Sequence, residues 1–182
     1  MKKLILLLAL SPFLVAFQCD PEPDPCGNYI EFDKPDLVTV ENPQATYVVG
    51  DVLWLSSTVN RTQVNPNTGN SIDLFESDDK LSYYIDLRKD SNYNGYYQIY
   101  LNENTTVVES GEVNWNNIIL TKEGEQFKSK MGIKLLESGI YTITLYNVAS
   151  YNPDRIGCNF TTYSMVTDFS GMDSNSFIFE VE

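Results

Sequence analysis

The chain has 182 residues, 25 of them acidic against 12 basic, for a formal charge of −13. A surface so acidic repels nucleic acid and anionic lipid headgroups, while 42% hydrophobic residues argue for a folded globule and against disorder. Histidine is absent, which excludes Ser-His and Cys-His nucleophilic catalysis and histidine-ligated metal centres.

Lys2 and Lys3 precede an uncharged, apolar run over residues 4–17, after which the chain turns abruptly polar. That is the pattern of a secretory signal peptide over residues 1–18. A membrane-spanning helix needs about 20 apolar residues, and this shorter run is interrupted by Ser11 and Pro12, so a permanent span is the weaker reading. Between Cys19 and Cys26 the chain reads DPEPDP; proline at every second position disfavours helix, and the acids keep the segment solvated. Residues 19–27 therefore read as a stiff acidic tether and residues 28–182 as one domain, large enough for a hydrophobic core of its own.

A cysteine placed first after a leader resembles the bacterial lipoproteins. With Asp20, Glu22 and Asp24 close behind it, the start is similar to that of Bacteroidetes-type lipoproteins, which carry an acid-rich tract there. The resemblance implies a diacylglycerol thioether on Cys19, an acylated amino terminus and a place at the outer membrane, with the acidic tract acting as a surface-export signal. Phe17 and Gln18 stand where the general lipoprotein motif has small residues. The alternative is an ordinary disulfide partner at Cys19 in a soluble secreted protein. If lipid occupies Cys19, the other two of the three cysteines, Cys26 and Cys158, form the natural pair in an oxidising compartment. Such a bridge would close most of the chain into one loop and contribute on the order of 4–5 kcal/mol.

Beyond the tether the hydrophobic period is two, the signature of half-buried strands. Strands are expected at residues 37–40, 47–49 and 52–59, then where Leu81, Tyr83, Ile85 and Leu87 alternate with Ser82, Tyr84 and Asp86. Residues 96–101 and 106–109 follow, then Tyr141, Ile143 and Leu145, residues 160–166, and finally Phe177, Phe179 and Val181. Turn chemistry separates them at NPNTGN (residues 65–70), Asn94-Gly95, Ser110-Gly111 and Ser170-Gly171. Residues 125–136 fit a helix through Phe127, Met131 and Leu135, but Ile133 completes an even spacing and Gly132 weakens a helix by about 1 kcal/mol, which favours a strand.

Many short strands joined by Gly and Asn turns point to an all-β sandwich or barrel. GDVLWLSS (residues 50–57) and LESGIYTITL (residues 136–145) resemble the second strand and the tyrosine corner of immunoglobulin-like domains. The resemblance implies an immunoglobulin-like antiparallel β-sandwich with Leu53 and Leu55 in the core and the Tyr141 hydroxyl bonded to the upstream backbone. Ser57 and Ile143 stand near the places where antibody domains carry their bridging cysteines.

Chemistry is sparse. Ser77-Asp78-Asp79-Lys80 matches an S-x-x-K string, but no K-T-G partner exists, so a solvated acidic loop is expected. In DSNYNG, Asp90, Asn92 and Asn94 occupy positions 1, 3 and 5 of a calcium loop, yet Leu101 stands where the bidentate glutamate belongs. A hairpin turn at Asn94-Gly95 is the stronger reading. Tyr93, Tyr96, Tyr97 and Tyr100 gather around the same turn, where rings that combine apolar area with a hydroxyl suit a glycan or protein ligand, or ordinary sheet packing. Asn60, Asn104 and Asn159 each begin an N-x-[ST] string, which a bacterial lipoprotein would leave unmodified. The expectation is a lipid-anchored, non-enzymatic binding or structural module of the cell envelope without a cofactor. The alternatives are a small carboxylate-dependent glycan hydrolase and a calcium-dependent adhesive domain.

Overall fold

Strands supply nearly all the regular structure of the computed structural model, which describes residues 27–91, 95–153, 160–172 and 174–182. In chain order they begin with β1 (Asn28–Asp33), β2 (Val38–Glu41), β3 (Thr46–Tyr47), β4 (Val52–Asn60), β5 (Thr62–Val64) and β6 (Ser71–Asp73). A single helical turn, α1 (Leu74–Ser77), leads into the long β7 (Lys80–Ser91), followed by β8 (Gly95–Ile99), β9 (Thr106–Ser110), β10 (Glu112–Asn114) and β11 (Asn117–Glu123). The chain closes with β12 (Gln126–Lys134), β13 (Gly139–Leu145), β14 (Val148–Ser150), β15 (Thr161–Val166) and β16 (Ser176–Val181). The all-β class read from the sequence is the class of the fold.

Two runs of pairing share one core. In the first, β2, β4, β12 and β9 are neighbours in that order; in the second, β8, β7, β13, β16 and β3 are, with β3 and β16 parallel. The two runs are not separate sheets. β7 is long enough to serve both sides: its first half pairs with β11 and β14 and its second half with β13 and β8. Through β7 and β11 the two runs join into one curled sheet. β1 and β15 extend it as a parallel pair.

Period-two alternation places the core where the sequence put it. Leu53, Leu55, Leu81, Tyr83, Ile85, Leu87, Tyr141, Ile143, Leu145, Phe179 and Val181 are all buried in one cluster. The expected corner is present, with the Tyr141 hydroxyl donating to the Glu137 carbonyl at 2.7 Å. Ser57 is buried and donates to the Leu37 carbonyl at 2.8 Å. Within residues 125–136, Gln126–Lys134 is strand and none is helix, and Gly132 has a packing reason: a Cβ there would collide with Val52 Cγ1 and lie 3.2 Å from the Trp54 ring. NPNTGN closes the β5–β6 hairpin, with Gly69 at φ +73° and the Asn65 N–H donating to the Asn70 carbonyl at 2.8 Å.

Several segments differ from expectation: β1, β5, β6, α1, β10 and β14 lie where no element is expected, and β1–β15 and β3–β16 are parallel pairs in a fold expected to be antiparallel. The strand at residues 47–49 is only Thr46–Tyr47, since Val48 and Val49 turn outward to solvent. The loop at residues 77–80 is not uniformly solvated: Asp78 is buried and accepts from the Ser150 hydroxyl at 2.8 Å. Finally, β11 carries Ile118, Ile119 and Leu120 buried in succession, so it shows no alternation for a period-two reading to detect.

Candidate functional site: an aromatic face on β7 and β8

Along β7 the core takes Leu81, Tyr83, Ile85 and Leu87, which turns Tyr84, Asp86 and Arg88 to the outer face. β8 runs antiparallel to it with Arg88 opposite Gln98 and Asp90 opposite Tyr96, so Tyr96 and Gln98 share that face. The result is a connected row. Tyr146 packs edge-on against Tyr84 at 5.5 Å between ring centroids, Gln98 Nε2 donates to the Tyr84 hydroxyl at 3.1 Å, and the Tyr100 hydroxyl donates to Gln98 Oε1 at 3.3 Å. Tyr100 in turn meets Trp115 edge-on at 5.6 Å. The guanidinium of Arg88 lies 4.2 Å over the Tyr96 ring.

Trp115 is the most exposed ring of the row, at 67%. It sits between β10 and β11 with φ +53°, a region that a bulky L-residue enters at a cost of roughly 1–2 kcal/mol. The next residue supplies the reason. Asn116 is fully buried; its Oδ1 accepts from the Leu101 N–H and its Nδ2 donates to the Ile99 carbonyl, both at 3.0 Å, while its own carbonyl accepts from the Ile85 N–H at 3.0 Å. Asn116 thus locks the β10–β11 turn to the end of β8 and to the middle of β7. The strained neighbour is held over Tyr100, with its indole in solvent.

Beneath the rings lies one charge pair. Asp86 is buried and ion-paired with Arg88, and its carboxylate raises the Arg88 guanidinium above an already high value, so the cation persists. Asp86 Oδ1 and Arg88 Nε are buried without a hydrogen-bond partner among the described residues. The face is therefore aromatic and studded with hydroxyl and amide groups, with Asp90 exposed on the same side at the end of β7.

Of the tyrosines the sequence singled out, Tyr96 and Tyr100 belong to this face, and Tyr97 alternates to the other side of β8, facing a cleft. Tyr93 lies outside the described residues, as do Asn92 and Asn94, so the calcium pattern retains only Asp90, exposed near the end of β7. Ser91 pairs with Gly95, making β7 and β8 the expected hairpin. Residues 1–26, and with them Cys19, Cys26 and all of the tether but Gly27, lie outside the described residues, as do Cys158 and Asn159. Ser77 ends α1, and Lys80 is engaged by Glu112 at 2.6 Å. Sequence reasoning missed Tyr84, Trp115 and Tyr146 as members of the face. The asparagines flanking Trp115 were the available signal, since Asn on both sides of a large residue marks a turn.

Fold and face together define an all-β protein that displays an aromatic surface on one sheet. No family model and no curated protein matches the chain. Among solved structures it is similar to the CupB6 tip adhesin from Pseudomonas aeruginosa, at 11% identity and a TM-score of 0.25, over 80% of this chain and 44% of that one. The chain thus spans less than half the length of that adhesin.

Proposed function

We propose that the protein is a lipid-anchored, non-enzymatic binding module of the outer membrane, and that the β7–β8 face takes a neutral glycan. The observation that carries the reading is Trp115, kept strained and exposed by the buried Asn116 clamp. A residue used only for packing would be turned inward or relaxed; strain retained beside an open surface supports use of that surface. The apolar C–H faces of sugar rings pack on aromatic rings, and Gln98, Arg88 and the tyrosine hydroxyls stand beside those rings to meet sugar hydroxyls. The acidity of the chain disfavours polyanionic ligands, while an uncharged polymer meets no such barrier. The leader and Cys19 supply location, and the acidic tether supplies clearance from the bilayer.

Co-sedimentation with a panel of insoluble neutral polysaccharides tests the glycan reading. The wild-type protein is expected to sediment with at least one of them, and Trp115→Ala to lose on the order of tenfold in affinity with its circular dichroism unchanged. Equal retention of wild type and variant on every polysaccharide bound would contradict it, as would binding to none. The anchor is tested separately: Cys19→Ser should move the protein from the membrane to the soluble fraction, and persistence of that variant in membranes under high salt would count against lipidation.

A further inference from the structure

The edges of the two strand runs leave a gap. β8 pairs with β7 and β9 pairs with β12, but among the described residues β8 and β9 do not pair with each other, and between β8 and the end of β12, with Thr105 just before β9 at its wall, opens a cleft of about 420 Å³. Its floor is core: Leu87, Ile133 and Leu135 are almost fully buried yet line it. Its rim carries Lys89 and Lys134 against the single acid Glu137, a local excess of positive charge on a strongly negative chain. The Lys89 ammonium pairs with Glu137 at 2.7 Å, and that carboxylate is 73% exposed. The lysine side chain is only 19% exposed, so it stays at the cleft while the solvated Glu137 carboxylate is the partner that can be exchanged. The Lys134 ammonium donates to the Asn104 carbonyl at 3.2 Å, which leaves it further donors.

A volume in the small-molecule range, an apolar floor and a few polar groups in the lining are the features of a ligand pocket. Here the polarity has a direction, greasy within and cationic at the mouth. We propose that this cleft binds a medium-chain alkyl carboxylate, its chain against Leu87, Ile133 and Leu135 and its carboxylate at Lys89 in place of Glu137. A neutral amphiphile would leave the ammonium unused, and a cationic one would face two like charges. The site lies on the inner side of β8, opposite the aromatic face, and stands independently of the glycan reading.

Calorimetric titration of the mature protein with decanoate, below its micelle concentration, tests the proposal. Decanoate should bind saturably, and decyltrimethylammonium, with the same chain and the opposite charge, should bind at least tenfold more weakly. Lys89→Met should weaken decanoate on the order of tenfold while leaving decanol unchanged. Thr105→Trp, at the cleft wall and outside the buried core, should block both. Absence of saturable decanoate binding, or equal affinity for the cationic probe, overturns the proposal without recourse to any variant. Nuclear magnetic resonance shifts caused by decanoate should centre on Tyr97, Leu135 and Tyr141; shifts confined to Tyr84 and Trp115 would also overturn it.

Discussion

The outer faces of β12 and β8 rest on the same pleat and are finished in opposite ways. On β12, Lys130 lies between Glu41 at 3.3 Å and Glu109 at 3.1 Å, and its ammonium sits 5.3 Å from the Trp54 ring. The charge at Lys130 is met by two acids of the chain, and the indole is covered by its cation. On β8 the rings stand half or more exposed, and the one charge pair beneath them keeps unpartnered polar atoms. Around Lys130 and Trp54 the first face is satisfied by the chain's own groups. The second has apolar area and hydrogen-bonding capacity that only another molecule can use, and that difference, more than the fold, locates function here.

The comparison is tested most severely at Asn116. Asn116→Ala should destabilise the protein by about 2–4 kcal/mol, because it strands the Leu101 N–H and the Ile99 carbonyl in a buried site. Thermal denaturation should show a midpoint lowered by roughly 5–15 °C; an unchanged midpoint would mean that the clamp does not hold the aromatic face. A smaller effect is expected at the corner. Tyr141→Phe removes the bond to the Glu137 carbonyl and should cost about 1 kcal/mol in urea denaturation, with glycan binding unaltered. The least effect belongs to the β12 face: Lys130→Met should leave the melting midpoint and binding to polysaccharide both unchanged within error, since exposed ion pairs contribute little. A large loss of binding there would erase the distinction between the two faces.

What the sequence revealed follows from the range of the interactions involved. Leu53, Leu55, Leu81, Tyr83, Ile85 and Leu87 announce themselves because burial on one side of a strand writes itself locally, every second residue. The helix-or-strand ambiguity at Phe127, Met131 and Leu135 is resolved by Gly132, whose missing side chain accommodates Val52 and Trp54 from another strand. Tyr141 is legible because its partner is four residues upstream. By contrast, Asn116 acts on backbone groups 15 and 17 residues away, and nothing in the local pattern NWNN states that partnership. Tyr84 reads as the polar-side member of an alternating strand, and only the fold brings Tyr146 beside it. The site is thus half legible: the tyrosines near the β7–β8 turn stand out by clustering, whereas the tryptophan that completes the row depends on long-range structure.

The most direct test of the central claim uses Trp115 as its own reporter. In a Trp54→Phe background it is the sole indole of the two in the chain, and its emission can be followed while a soluble oligosaccharide of the retained polysaccharide is added. Emission should shift to the blue and acrylamide quenching should fall, both saturably and with the same midpoint, as a sugar ring covers the indole. Saturable binding of that oligosaccharide with no change in Trp115 emission or quenching would contradict the account.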